Sequence, residues 1–427
     1  RDNDKLKNKA GFLIGPFGSA YDTNNYTEVP DYRYVRGQDV KPFVLKDSEP
    51  RYMTKEDYER LKKYALKPKD ILVSVVGTLG NACIVKECDV PAIFSCKSTV
   101  IRTEDVNPYY LIAYLNSKYG RALLLRKERG AIQKGLNLDD LKELDIPLFP
   151  DKLYLEIQNL LIESEKCLEQ SKRMYAQAET LLEKELGFDT FVEPKEICSV
   201  KSFSEGFGKS GRLDAEYYQE KYDVLFARLA NFNIMKLVDI VNISKSIEPG
   251  SDVYSDEGIP FVRVSDLSKY DIAEPEIHIP KLIHPNIETL YPKKDTILLS
   301  KDGSVGIAFK VSHDMECVTS SAILHLKIKD ISLIQADYLT LVLNSRVVQL
   351  QAERDAGGSI IQHWKPSEIE QVLIPILDET IQSSISNLMQ QSFELRRKAN
   401  ERLEFAIHAV ELAIEQGETE AIKHLSE

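Results

Sequence analysis

The sequence has few of the residues that build metal centres and disulfide frameworks. Its 427 residues include 6 cysteines and 7 histidines, and no two cysteines have the CxxC spacing of a zinc site. The cysteines are Cys83, Cys88, Cys96, Cys167, Cys198 and Cys317. We therefore expect no metal site, and we expect reduced thiols in a cytoplasmic protein rather than a secreted, disulfide-stabilised one.

Long apolar runs are also missing. A helix that spans a bilayer needs about 20 consecutive apolar residues, and no stretch of the chain approaches that length. The chain does not open with the basic and apolar segments of a signal peptide. It begins at Arg1 rather than at methionine, which leaves a processed or longer chain open. We predict no membrane partner.

Familiar catalytic motifs are absent too. There is no GxSxG, no HExxH and no kinase motif set. The segment "GFGKS" (206–210) lacks the first glycine of a phosphate-binding loop, because Phe203 stands there. The segment "NPYY" (107–110) lacks the second proline of the amino-methyltransferase motif, and Asn107 and Pro108 suit a helix start instead. We predict no catalytic residues and no cofactor on this chain.

The net charge of −12 is concentrated in two segments. Residues 151–190 carry 9 acidic and 5 basic residues, and residues 378–427 carry 10 acidic and 5 basic residues. The rest of the chain has 48 acidic and 45 basic residues, which is close to balance. A surface that binds nucleic acid is therefore compatible with the composition outside those two segments, although the composition does not require one.

The chain contains a large internal repeat. The segments "ILVSVVGTLGNACIV" (71–85) and "ILLSKDGSVGIAFKV" (297–311) both read as strand, glycine turn and strand. Offsets of 226–229 residues extend the match to "GAIQKGLNLDDLKELDIPLF" (130–149) and "GSIIQHWKPSEIEQVLIPIL" (358–377). A β-rich unit of about 150 residues is thus used twice, which is too long for a solenoid repeat.

The glycines of the repeated hairpin have a structural explanation. Asp302-Gly303 suits a tight turn with positive φ, and Gly306 follows three residues later. Gly77 and Gly80 hold the same places in the first copy. We predict that these glycines shape the turn and do not hold a phosphate.

Each copy of the repeat continues into a long helix. Residues 151–186 contain no glycine or proline, and apolar or small residues recur at alternating steps of three and four, which is typical of a heptad seam. The same register returns 228 residues later. The predicted helix-pairing residues are Leu153, Ile157, Leu160, Ser164, Ser171, Ala178, Ile381, Ile385, Leu388, Ser392, Ala399 and Ala406. We expect the helices to pack on each other; two separate amphipathic helices are the alternative.

These features predict an α+β fold with two tandem similar β-rich domains, an antiparallel coiled coil and pseudo-two-fold symmetry. The predicted segments are a first domain at 1–150, a central helix at 151–187, a linker at 188–211, a second domain at 212–378, a second helix at 379–416 and a tail at 417–427. Gly187 is placed to end the first helix. Before residue 15, the first copy shows little counterpart to residues 212–240.

The repeat and its motifs resemble the specificity subunit of type I restriction-modification systems. "GPFGSA" (15–20) followed by "RGQDV" (36–40) resembles the opening of a target recognition domain of that family. The two hairpins resemble its central hairpin, and "GRLDAEYY" (211–218) resembles the start of its second domain. The resemblance covers nearly the whole chain, and the duplicated order of the motifs is more specific than any one of them.

The resemblance implies a sequence-specific DNA-binding subunit without catalysis of its own. Each target recognition domain would read one half of a bipartite double-stranded DNA target, and the helices would set the spacer and dock two methyltransferase subunits. S-adenosylmethionine would belong to those partners, and restriction subunits would join in some complexes. A recognition segment of a single-chain restriction or methyltransferase enzyme is one alternative, which sequence upstream of Arg1 would test. A coiled-coil scaffold that binds only proteins is another, favoured if neither domain has a basic concave face.

The loops that differ between the copies supply the candidate DNA contacts. Arg or Lys suits guanine and Gln or Asn suits adenine, whereas Lys, Arg, Ser and Thr also contact phosphates. The predicted DNA-binding residues are Arg36, Gln38, Lys97, Ser98, Gln133, Lys134, Arg263, Ser265, Lys301, Ser320, Gln362 and His363. Trp364, the only tryptophan, is predicted to be a packing residue.

Overall fold

The computed structural model describes residues 3–46, 49–77, 79–130, 134–194, 199–357 and 362–425. They form two compact units. The first comprises Arg1–Glu169 and Arg396–Glu427, and the second comprises Gln170–Leu395. Each unit therefore contains one β-rich part and sections of two long helices, which agrees with the predicted α+β fold.

The first unit is built around a four-stranded antiparallel sheet with the order β2-β7-β4-β5. Its strands are β1 (Asn3–Lys5), β2 (Ala10–Ile14), β3 (Arg33–Val35), β4 (Ile71–Ser74), β5 (Ala82–Ile84), β6 (Ala92–Phe94), β7 (Ser98–Thr103) and β8 (Asp145–Pro147). Its helices are α1 (Lys55–Leu61), α2 (Pro108–Asn116), α3 (Lys118–Leu125), α4 (Leu138–Lys142) and the first long helix, α5 (Asp151–Glu185), which continues into the second unit. Every residue of β4 is buried, which explains its continuous apolar run.

The second unit repeats this topology, with the sheet order β10-β16-β13-β14. Its strands are β9 (Ile234–Lys236), β10 (Val241–Lys245), β11 (Ile259–Val262), β12 (His278–Ile279), β13 (Ile297–Ser300), β14 (Ala308–Lys310), β15 (Val318–Thr319), β16 (Ile323–Ile328) and β17 (Leu373–Pro375). Its helices are α6 (Phe207–Ser210), α7 (Glu220–Leu229), α8 (Leu237–Ile240), α9 (Ala336–Asn344), α10 (Arg346–Asp355) and α11 (Pro366–Ile369). Strands β3 and β6 pair in parallel beside the first sheet, and β11 and β15 do the same beside the second.

The second long helix, α12 (Glu379–Glu415), runs through both units and is followed by α13 (Glu418–Leu425). The apolar core of the first unit includes residues of α5, α12 and α13, among them Ile157, Val410 and Ala421. None of the helices within the described ranges combines the length and apolar character that crossing a membrane requires. Of the predicted free cysteines, the five in the described ranges are all unbridged.

The opening strands correct one expectation in part, for residues 234–240 of the segment 212–240. Residues 3–14 are the counterpart of residues 234–245, because β1 pairs with β8 as β9 pairs with β17. Leu6 N–H donates to the Leu144 carbonyl at 2.9 Å, and Leu237 N–H donates to the Val372 carbonyl at 2.8 Å. Both leucines are fully buried. The first copy of the repeat therefore begins earlier than residue 15.

The predicted turn and cap residues are confirmed. Gly77 and Gly80 have φ of 88° and 75°, and Gly303 and Gly306 have φ of 75° and 83°. Glycine adopts these left-handed conformations without the steric cost that a Cβ would add. Gly187 ends α5 with a φ of 67°.

The capping role that was predicted for Asn107 is also present. Its side chain accepts the backbone N–H groups of Tyr109 and Tyr110, and Pro108 is the first residue of α2. An Asn N-cap satisfies N–H groups that have no partner within the helix. This segment therefore starts a helix, as predicted, and its polar atoms serve that end.

Candidate nucleic-acid interface

An arginine–aspartate turn stands at the same place in each unit. In the first, Arg36 precedes a 3-10 turn (Gly37–Asp39), and the Asp39 carboxylate accepts the Arg36 backbone N–H at 2.8 Å. The Arg36 guanidinium also donates to that carboxylate, through Nε at 3.0 Å and Nη2 at 2.7 Å. These hydrogen bonds raise the pKa of Arg36 above its ordinary value. In the second unit, Arg263 and Asp266 repeat the backbone bond at 2.8 Å with side-chain bonds of 3.4 Å.

The two arginine side chains differ in their exposure and in the number of hydrogen bonds that they make within the turn. The Arg36 side chain is 19% exposed and its Nη2 also donates to the Glu49 carbonyl at 3.0 Å. The Arg263 side chain is 36% exposed. Because the guanidinium of Arg36 already binds a buried carboxylate, the geometry favours a structural role for Arg36. Arg263 is the more available of the two arginines for contact with DNA.

The other candidate residues of the first unit divide into exposed and buried ones. Gln38 is exposed in the 3-10 turn, and Lys97 is exposed in the turn between β6 and β7. The turns touch each other, since a Cβ on Gly37 would lie 2.8 Å from the Lys97 Cβ. Ser98 is fully buried as the first residue of β7, which corrects its prediction as a DNA contact, because its hydroxyl does not reach the surface.

The equivalent turns of the second unit carry different side chains. Ser265 stands in the place of Gln38, and it is exposed, with its hydroxyl donating to Asp266 at 3.1 Å. Ser320 is 6% exposed, and its hydroxyl accepts the Ala322 N–H at 3.2 Å. That serine stabilises the turn from inside, so its prediction as a DNA contact is corrected as well. Ala322 stands where the first unit has Lys97.

A third loop in each unit lies beside the tip of the central hairpin. In the first unit, the Leu136 N–H donates to the Val75 carbonyl at 2.9 Å. Lys134 is 61% exposed on its side chain and forms an ion pair with Glu128 at 2.6 Å. Gln133, which was also predicted to contact DNA, lies outside the described residues.

In the second unit the same loop carries a hydrogen-bonded group of polar side chains. His363 Nδ1 lies 2.8 Å from Asp302 Oδ1, and the ammonium of Lys301 forms an ion pair with the other oxygen of Asp302. Gln362 and His363 are exposed, whereas the Lys301 side chain is 13% exposed. Trp364 is 1% exposed, which confirms its packing role.

The centre of the long helices is held by serine hydroxyls. The Ser164 hydroxyl donates to the Ala399 carbonyl at 2.9 Å, and the Ser392 hydroxyl donates to the Ser171 carbonyl at 2.8 Å. Seven residues forward on α5 correspond to seven residues back on α12, so α5 and α12 pack antiparallel with one register. All four of these residues are buried to 1% or less. Backbone carbonyls can be reached in this way only where small side chains allow close approach of the helices.

The other predicted pairing residues are buried to different depths in the cores of the two units. Leu153, Ile157, Ala178, Ile385 and Ala406 are fully buried. Leu160, Ile381 and Leu388 are partly buried and pack against the cores of their units. Beside the seam, Arg402 Nε donates to Glu163 Oε2 at 2.8 Å.

Three aspartates in the candidate DNA-binding loops hold predicted residues in place, and none of them was predicted in that role. Asp39 and Asp266 hold the arginines of the two turns, and Asp302 holds His363. For the first two the signal was present, since "RGQD" and "RVSD" repeat the Arg-to-Asp spacing in both copies. No such repeat marked Asp302. Within the described residues, no group of three or more His, Cys, Asp or Glu side chains is arranged to hold a metal ion.

Comparisons with solved structures find similar chains of low sequence identity. The S subunit of a type I restriction-modification system from M. genitalium has 15% identity and a TM-score of 0.41, covering 99% of this chain and 95% of its own. The HsdS subunit from Thermoanaerobacter tengcongensis has 15% identity and a TM-score of 0.32, covering 97% of each chain. The comparison with curated proteins gave no match.

A family of known domains matches the chain twice. The family is described as the Type I restriction modification DNA specificity domain, and it matches residues 14–158 and 230–404. The two matches fall on the two copies of the repeat and extend into the long helices. The chain therefore belongs to the family of type I restriction-modification DNA specificity domains and recognises DNA for such a system through two of them.

Proposed function

We propose that each domain reads one half of a bipartite DNA target through three elements. They are its Arg–Asp turn, the turn between β6 and β7 or between β15 and β16, and the loop beside the tip of its central hairpin. One observation carries this proposal: the backbone of these elements is repeated, whereas the exposed side chains on it differ. Gln38 and Lys97 in the first unit are replaced by Ser265 and Ala322 in the second. Two surfaces of one shape and different chemistry suit two different half-sites.

The exposed side chains have the chemistry of base and phosphate recognition. The amide of Gln38 can donate to and accept from adenine in the major groove, and Lys97 can donate to guanine. Lys97 and Lys134 can also contact phosphates, which positions the protein without reading sequence. Burial of Ser98 and Ser320 removes them from this set.

The long helices are proposed to set the spacer between the half-sites and to dock two methyltransferase subunits. Helix α5 has 35 residues and α12 has 37 residues, which corresponds to roughly 50–55 Å at 1.5 Å per residue. That length exceeds one turn of DNA, about 34–36 Å. The serine hydrogen bonds that fix one register support this role, because helices can set a defined spacer only if they do not slide along each other.

Catalysis is proposed to reside on the partners, in the cytoplasm. The methyltransferase subunits would bind S-adenosylmethionine, and restriction subunits would join where DNA is cleaved. We expect titration calorimetry of the purified full chain with S-adenosylmethionine to give no binding. Stoichiometric binding would contradict this part of the proposal.

A domain exchange tests the reading function. Residues 3–150 are replaced by the equivalent segment of another specificity subunit, and methylated adenines are mapped in a host genome. We expect one half of the recognised sequence to change and the other half to stay. The reciprocal exchange of the second domain is the matched control, and it should change the other half only. A simultaneous change of both halves in either chimaera would contradict independent reading.

A further inference from the structure

The hairpin tip of the second unit carries three side chains that bind one another. Asp302 lies at the centre: its Oδ1 is 2.8 Å from His363 Nδ1, and its other oxygen pairs with the ammonium of Lys301. The backbone holds the group together, since Gly303 N–H donates to the Gln362 carbonyl at 2.9 Å and Trp364 N–H donates to the Lys301 carbonyl at 2.8 Å.

The exposure of the three side chains is graded toward solvent. Lys301 is 13% exposed, Asp302 is 23% exposed and His363 is 63% exposed. The carboxylate and the ammonium therefore lie on the protein side of the group, and the imidazole lies on the solvent side. Because Nδ1 faces Asp302, the ring edge that carries Nε2 is the one left for a ligand.

The contacts of the ring determine whether Nε2 can accept a hydrogen bond. One oxygen of Asp302 pairs with the Lys301 ammonium, and the other lies within hydrogen-bond distance of His363 Nδ1. A neutral imidazole that donates from Nδ1 to a carboxylate has its lone pair on Nε2. In that neutral form, His363 presents a hydrogen-bond acceptor in the direction that its contact with Asp302 fixes.

The first unit shows that the hairpin does not need this group to fold. The same backbone positions hold Val75, Val76 and Gly135 there. Leu136 N–H donates to the Val75 carbonyl at 2.9 Å, as Trp364 does to Lys301, and Val76 pairs with Gly135 as Asp302 pairs with His363. Three polar residues thus occupy backbone positions that hold two valines and a glycine in the first unit.

We propose that His363 is a specificity-determining residue of the second domain and that Asp302 is its positioning residue. The Nε2 acceptor suits the exocyclic amino groups that adenine and cytosine present in the major groove. This inference rests on the proposed reading function and names one reading residue and its chemistry. Lys301 serves by keeping the Asp302 carboxylate balanced in charge.

The test uses the full chain in its complex with methyltransferase subunits. Methylation is measured on a library of DNA targets with a randomised second half-site. For His363→Ala we expect discrimination at one base pair to fall by about 5- to 150-fold, the size of one good base contact, with the other positions unchanged. Asp302→Ala should relax the same base pair, and the double variant should be no worse there than His363→Ala alone. Asp302→Asn, whose amide oxygen can still accept from Nδ1, should retain part of the discrimination.

Thermal unfolding of each variant separates reading from folding. We expect an unchanged melting temperature for His363→Ala, since that side chain is 63% exposed. Asp302→Ala should lower it, because the part-buried Lys301 ammonium loses its partner. Unaltered base preference in His363→Ala would overturn the proposal, and loss in His363→Ala without loss in Asp302→Ala would overturn the role of Asp302. His363→Val, which has no acceptor, replaces His363→Ala if that variant unfolds, and unaltered preference in it would likewise overturn the proposal. Exchange of the entire second domain identifies failure of the underlying function, because it would then leave the second half-site unchanged.

Discussion

The hydroxyl oxygens of Ser171 and Ser392 lie 3.0 Å apart between the two long helices, and the Ser392 hydroxyl also lies 2.8 Å from the Ser171 carbonyl oxygen. Each helix thus contributes to a polar contact that is fully buried in the seam. An unpaired polar group in that position would cost stability, so the contact favours one register of the helices over its neighbours.

Ser392→Ala should destabilise the protein by about 1–3 kcal/mol, because the buried Ser171 hydroxyl and carbonyl lose a partner. Urea unfolding of the full chain, followed by the helical circular dichroism signal, measures this change. Ser384→Ala is the matched control on the same helix: Ser384 is exposed and bonds only within α12, so we expect a change within about 0.5 kcal/mol. Equal effects of the two substitutions would argue against the seam contact.

Arg36 and Gln38 should separate stability from reading, although they are neighbours in one turn. Arg36→Ala leaves the buried Asp39 carboxylate with fewer donors, and we expect about 1–3 kcal/mol of destabilisation with the first half-site still preferred. Gln38→Ala should leave stability nearly unchanged and reduce discrimination at one base pair by about 1–3 kcal/mol. Denaturation and methylation assays on both variants check this. The reverse pattern would restore Arg36 as a base contact.

Burial of His325 should make the second domain less stable in acid. Its Nε2 lies 2.8 Å from the Thr319 hydroxyl, and burial lowers its pKa from 6.5 to about 4. Between these values the unfolded chain binds a proton that the folded protein does not, so stability falls as the pH falls from 6.5 to 4. The loss approaches about 3 kcal/mol at the lower end. Unfolding free energies across this range measure it.

His325→Gln should flatten that part of the pH profile, whereas substitution of the exposed His313 by Gln serves as the control and should leave the slope as it is. An identical slope in the wild-type protein and His325→Gln would assign the acid sensitivity to other groups.

A duplicated heptad in both long helices should lengthen the preferred DNA spacer. Copying residues 165–171 in α5 and 393–399 in α12 keeps the seam in phase and adds roughly 10 Å to each helix. We expect the half-sites to be unchanged and the spacer to grow by up to about three base pairs, at about 3.4 Å each. Mapping of methylated adenines reads out both quantities.

Insertion into α5 alone is the control for this experiment, since it removes the match between Ser164 and Ala399 or between Ser171 and Ser392. That variant should be less stable, with no new defined spacer. An unchanged spacer in a folded, active complex with both insertions would show that the helices do not set the distance.

The repeat and the helix seam could be predicted from the sequence because both are periodic. A 228-residue offset relates Ser164 to Ser392 and Ser171 to Ala399, and these four residues make the central contacts. The roles of the hairpin glycines could also be predicted, because positive φ restricts the choice of residue. In each case a local physical requirement leaves its mark on the residue types.

The fate of individual polar side chains could not be predicted in the same way. Ser98 and Ser320 look like surface residues of a turn, yet tertiary packing buries both. Residues 3–14 share little sequence with 234–245, and their equivalence rests on strand pairing through β8 and β17. Side-chain partners such as Asp302 and His363 are 61 positions apart, and nothing in the sequence connects them.

The self-contained Arg–Asp turn bears on how such a protein can change its preference over evolutionary time. Its ion pair joins residues three positions apart, so the exposed residue just before the aspartate, Gln38 or Ser265, can vary without loss of the turn. Under the proposed reading function, new DNA preferences can then arise by single substitutions at Gln38 or Ser265 that leave the protein folded. Such substitutions would change the affinity for DNA and leave the folding stability of the chain unchanged.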